Sequence, residues 1–116
     1  MSDRLLRILD RLSRVRGVRG SMYVAAEDGL AVAQLLMEDV NARALAAFAA
    51  SLSRKVSGAA AATGSGRVRF VQMQAEQGVL LVASGAHDLL VAVVADAGVN
   101  VGLARLEMMR AVEQGQ

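Results

Sequence analysis

The residues that could do chemistry are few and lie far apart. His87 is the only imidazole, set in the run Ser84-Gly85-Ala86-His87-Asp88, and the chain has no cysteine. A nucleophile relay needs a hydroxyl, an imidazole base and a carboxylate to orient that base, and one histidine in a turn-like run assembles no such set. A metal site without cysteine needs histidines or carboxylates at ligand spacing, and the sequence offers none. His87 therefore reads as a turn residue. Gly64-Ser65-Gly66 has glycines but lacks the Lys-Ser/Thr of a phosphate-cradling loop, and it opens no helix. Tyr23, Phe48 and Phe70 do not interleave with basic residues, so a stacking platform for nucleic acid is not expected. The expectation is a protein with no catalytic residue, no cofactor and no metal, which works by binding.

Charge is the next source of chemistry. Of the 13 basic residues 12 are arginine, and six of these fall in the first 20 positions beside Asp3 and Asp10. That segment carries +4, against +2 for the whole chain. Ser2 is placed to cap a first helix running to about Arg16, with Leu5, Ile8, Leu9, Leu12 and Val15 on its apolar side. Arg4, Arg7, Arg11 and Arg14 line the other side, with Asp3→Arg7 and Asp10→Arg14 spaced for ion pairs along the helix. A solvated helix surface is the plain reading; contact with an acidic protein or a phosphate backbone is the alternative.

The elements that must position these groups fit one domain over residues 1–116. With 54% apolar and 21% charged residues the chain lies outside the disordered regime. Its mean hydropathy of +0.39 is high for a small domain, which implies that a partner covers some apolar surface. No apolar run approaches the roughly 20 residues that span a bilayer, so membrane insertion is not expected. The charged N-terminus lacks the pattern of a secretory signal, and the lack of cysteine fits a cytoplasmic location.

After the first helix, ended by Gly17, residues 20–26 and 30–36 read as two strands around a Glu27-Asp28-Gly29 turn. Residues 41–63 read as a long helix capped by Asp39 or Asn41 and ended by Thr63-Gly64-Ser65-Gly66. Residues 67–74, 79–85 and 88–95 follow as three strands, the last a nearly continuous apolar run suited to the middle of a sheet. The strand bearing Arg67, Arg69, Gln72 and Gln74 belongs nearer an edge. Asn100 caps a final helix over 101–113, with Leu103, Leu106 and Met109 as its apolar positions. The order is αββαβββα, an α+β chain.

The long helix carries the binding argument. Wound at 100° per residue, Leu45, Phe48, Leu52, Val56 and Ala59 share one stripe about 80° wide, the expected core face. Ala42, Ala46, Ala49, Ser53, Ser57 and Ala60 form a neighbouring stripe of small residues, spaced to let a second helix approach closely. Arg43, Ala47, Arg54 and Ala61 sit opposite the large residues. A second copy of the chain on the small stripe is one account, and alanine filling of an exposed helix is the plainer one.

The element order, Gly17-Val18-Arg19-Gly20 before the first strand, Asp28-Gly29-Leu30 in the first hairpin and the run from Ala95 to Arg105 together resemble the Roadblock/dynein light chain family over essentially the whole chain. The resemblance implies a five-stranded antiparallel sheet in the order 2-1-5-4-3, with the long helix on one face and the terminal helices on the other. It implies a homodimer in which the long helices lie antiparallel and the third strands pair, which would add Val68 and Phe70 to the small stripe as interface residues. It also implies a small Ras-like GTPase as partner and a role as activator or scaffold; the faces left over on the paired long helices, carrying Arg43, Ala47, Arg54 and Ala61, are then the expected docking surface. A structural adaptor with no effect on hydrolysis and a small-molecule sensory module are the alternatives. Against the second stands an alanine- and valine-rich core with few polar groups to orient a ligand.

Overall fold

The computed structural model describes residues 2–85 and 87–115. The elements are α1 (Ser2–Ser13), β1 (Val18–Ala25), β2 (Leu30–Leu36), α2 (Ala42–Ala62), β3 (Phe70–Gln74), β4 (Gly78–Ser84), β5 (Leu89–Asp96) and α3 (Val101–Gln114). The strands form one sheet in the order β2-β1-β5-β4-β3, every neighbouring pair antiparallel. This is the architecture that the sequence led to. β5 lies in the middle, and its Leu90, Val91, Ala92 and Val93 are buried from both faces.

Each face of the sheet carries its own core. On one face Leu5, Leu9 and Leu12 of α1 and Ala104, Met108, Ala111 and Val112 of α3 pack on Tyr23, Leu81, Val91 and Val93. On the other, Leu45, Ala46, Ala49 and Ala50 of α2 pack on Met22, Val24, Leu80, Val82, Leu90 and Ala92. Alternation of side chains along each strand divides its residues between the two cores.

Polar groups fasten the layers where hydrocarbon cannot. The Tyr23 hydroxyl donates to the Ala111 carbonyl at 2.6 Å, tying β1 to α3. Burial pushes the Tyr23 phenol up to about 12, with nearby Arg4 pulling the other way. Buried Ser21 meets Ser13, oxygen to oxygen, at 2.9 Å. Arg19 forms an ion pair with Asp39. Asn41 caps α2 by accepting from the Ala44 amide at 3.0 Å, and Asn100 caps α3 by accepting from Leu103 at 3.0 Å.

Some boundaries and faces differ from the sequence reading. α1 ends at Ser13 rather than near Arg16, and the chain turns into β1 through Gly17 at φ +96°. β3 begins at Phe70 rather than Arg67. In α3, Leu103 and Leu106 are exposed, and the buried positions are Ala104, Met108, Ala111 and Val112. Positions three apart drift about 60° per step around a helix, whereas steps of three and four hold one face.

Candidate interaction surfaces

The packing of α2 decides what it can offer a partner. Ala46 and Ala49 of the small stripe are 2% and 0% exposed in the protomer's own core, so their side chains have no surface left for a second copy. Ala42, Ser53 and Ala60 are half-buried beside them, and Ser57 is exposed. Phe48, expected in the core, is 45% exposed, Ala59 is exposed, and Leu52 and Val56 are half-buried. The physical reason is complementarity of volume. The sheet beneath α2 presents Met22, Val24, Leu80, Val82 and Leu90, so a close-packed layer needs small side chains from the helix.

The outward side of α2 carries Arg43, Ala47, Arg54 and Ala61, all exposed, joined by Phe48 and Lys55. α2 contains three cations, Arg43, Arg54 and Lys55, and no carboxylate. Arg54 is held in place: its Nη1 donates to the Ala26 carbonyl at 3.1 Å. Gly29, at φ +69°, brings the β1–β2 turn beneath this helix, where a Cβ would lie 3.5 Å from both the Ala47 Cα and the Ala50 Cβ. Arg43 and Arg54 are thus carried on a helix braced from below by its own hairpin.

β3 is the edge of the sheet next to β4. The amide of Ser84 bonds to the Arg69 carbonyl and that of Ala75 to the Gly78 carbonyl. Antiparallel pairs alternate between bonded and non-bonded, so residues 71 and 73 bond across to β4. The amides of Phe70, Gln72 and Gln74 therefore point outward, toward any strand that would extend the sheet. Val71 packs on the α2 side, which by alternation also receives Met73, 39% exposed. Phe70 faces the other way, against the core of α1 and α3, with the Arg105 guanidinium 5.0 Å from its ring centroid. Val68 precedes β3 and lines a groove of about 340 Å³ between the second half of α2 and the β4–β5 turn. Helical periodicity assigns Phe48 to the core and no sequence pattern marks Met73 as exposed, whereas the opposed facings of Phe70 and Val71 follow from alternation alone.

Ser53, Ser57 and Asp88 line that groove, and Arg67 donates to the Gly85 carbonyl at 3.1 Å. His87 and Asp88 take φ values of +61° and +57°, the paired left-handed geometry of a tight hairpin turn. His87 is exposed there, a turn residue.

Residues 5–95 match the family model of the Roadblock/LC7 domain. The chain belongs to the Roadblock/LC7 family. It is similar to an uncharacterised protein of Methanocaldococcus jannaschii, 35% identical over 108 residues that cover 93% of each chain. Among solved structures, a Roadblock/LC7 domain from Streptomyces avermitilis superposes with a TM-score of 0.84 at 23% identity, over 92% of this chain and 90% of that one. MglB of Myxococcus xanthus superposes with a TM-score of 0.86 at 17% identity, over 97% and 84%. The Roadblock/LC7 sheet order and the placing of its helices are thus shared across distant sequences. No helix among the described residues is long and apolar enough to cross a membrane.

Proposed function

We propose that this chain is a cytoplasmic, single-domain, homodimeric regulator or scaffold of a small Ras-like GTPase, without catalytic residues of its own. Family membership supports the reading, because the bacterial and archaeal members that the sequence resembles typically accompany such a GTPase. So does the likeness of fold to MglB. The observation that carries it is the outer side of α2: small residues among three cations, no carboxylate, turned away from the protomer's own core.

The dimer forms along the β3 edge. The outward amides of Phe70, Gln72 and Gln74 pair with their symmetry mates, and Met73, Val71 and Phe48 meet the second α2. Val68 and the buried Ala46 and Ala49 are left out of that interface. The two α2 helices then present one basic surface, on which acidic groups near the GTPase switches meet Arg43, Arg54 and Lys55. One asymmetric partner on a two-fold surface gives one GTPase per dimer.

Stimulated hydrolysis works through the GTPase's own residues. An arginine supplied in trans to a nucleotide needs a segment that can carry it inward. Arg54 instead lies along a braced helix with one nitrogen engaged by Ala26. The dimer favours the reactive arrangement of the switches by binding it better than the others. The test mixes the purified chain with small Ras-like GTPases from the same genome. Arg54→Ala should weaken binding in a salt-dependent way, while hydrolysis at saturating dimer falls little. Abolished hydrolysis at saturation, with binding intact, would replace this mechanism by an arginine finger. A GTPase that ignores α2 altogether would remove the docking reading.

A further inference from the structure

The face opposite α2 has no role in that reading, and it has a composition of its own. Arg4, Arg7 and Arg11 on the outermost side of α1, and Arg14 in the turn that continues it, are all exposed and form a row about 15 Å long. Arg14 is held by Asp10 at 2.9 Å, and Arg4 donates to the Gln114 carbonyl. Arg7 and Arg11 have no ion-pair partner among the described residues. The same side of the sheet carries exposed aliphatic side chains: Leu6 at 38%, Leu103 at 44% and Leu106 at 49%.

We propose that the α1–α3 face is a docking surface for an anionic lipid bilayer. Four guanidiniums against Asp3 and Asp10 along α1 and its final turn match a sheet of phosphate headgroups in charge, and the two arginines and two glutamates of α3 leave that excess unchanged. Isolated exposed leucines on the same side of the sheet suit the boundary between headgroups and acyl chains. A surface that read single-stranded nucleic acid would set aromatic rings among the arginines for bases to stack on, and these rings are absent from the α1 sequence. Binding is peripheral, since the apolar side of α1 is spent on the protein core. A two-fold axis perpendicular to the sheet puts both arginine rows on one side of the dimer and both α2 helices on the other. The protein would then hold its GTPase away from a membrane that it grips from behind. The lipid contact itself needs only the protomer, and it stands even if no GTPase binds.

The test is flotation of the full chain with vesicles of phosphatidylcholine alone and of phosphatidylcholine mixed with phosphatidylglycerol. Binding is expected to the mixed vesicles only, and to fall as salt is raised. Each arginine near such a surface is worth about a fivefold change, so Arg7→Ala with Arg11→Ala should weaken binding about 25-fold. Both residues are exposed, and an unchanged melting temperature establishes that the variant is folded. Arg43→Ala with Lys55→Ala, on the opposite face, should bind as the wild type does. No flotation of the wild type with mixed vesicles at low salt would overturn the proposal, as would equal loss from the α2 pair. Tighter binding to a duplex DNA probe than to the vesicles would also overturn it, making the row a nucleic-acid surface.

Discussion

Two neighbouring residues on α2, Phe48 and Ala49, separate the core of the protomer from the surface left to a partner. Ala49 is 0% exposed and Phe48 is 45% exposed. Replacing Ala49 with leucine forces volume into a close-packed layer, at a cost of about 1–3 kcal/mol to the protomer. Complete burial of a phenylalanine side chain is worth about 1.5–3 kcal/mol, so the part of Phe48 still exposed leaves about 1 kcal/mol for a partner to claim. A two-fold interface counts that twice, and Phe48→Ala should weaken the dimer by about 2 kcal/mol, or about thirtyfold in Kd. Sedimentation equilibrium across a dilution series gives the dimer constant, and thermal melts well above that constant give the stability. Ala49→Leu should lower the melting temperature by about 4 °C or more with the dimer constant little changed. If Ala49→Leu instead dissociated a chain that melts like the wild type, and Phe48→Ala changed nothing, α2 would have to be turned about its own axis, with Phe48 inward and Ala49 outward. A wild type that stays monomeric at micromolar concentration would remove the dimer.

Gln72→Pro removes an outward amide of β3 and should abolish dimerisation with a small loss of stability, whereas Val71→Pro breaks the ladder to β4 and should cost the fold about 3 kcal/mol or more; chemical denaturation beside light scattering separates the two. Tyr23 has its phenol raised in the folded state, so stability should be level below pH 10 and fall as pH rises toward 12, by about 1.4 kcal/mol per pH unit. Tyr23→Phe loses the bond to Ala111, should cost about 1 kcal/mol at neutral pH, and should lack that alkaline limb in urea titrations read by circular dichroism. Asn41→Ala removes the α2 cap and should cost about 1 kcal/mol, measured in the same titration.

The topology was legible because each element carries its own punctuation. Of the two candidate caps of α2, Asp39 and Asn41, it is Asn41 that caps, Thr63 ends the helix, and the unbroken apolar run of β5 marks the middle strand. The faces were less legible. Binary patterning assigns large residues inward, yet α2 turns Ala46 and Ala49 in and half of Phe48 out, because the sheet beneath is already bulky. That information lies in β1, β4 and β5, distant along the chain, and no window on the helix contains it. For the same reason two of the expected interface residues, Ala46 and Ala49, lie in the core, while Arg43 and Arg54 are exposed.

The pairing of β1 with β5 governs the order in which this protein can be made. Val18 pairs with Ala95 and Ala25 with Leu89, so the middle of the sheet joins the two ends of the chain. On a ribosome, β1 emerges with β2 and then α2, and none of them finds its central neighbour until β5 follows. At about 5–20 residues per second that interval lasts roughly 4 to 14 seconds. Throughout it Met22, Tyr23 and Val24 lie on a two-stranded hairpin that only α1 and α2 can cover, without the central strand that buries their other neighbours. The sheet is therefore completed only when β5 enters between β1 and β4, a long-range pairing of the kind that slows folding.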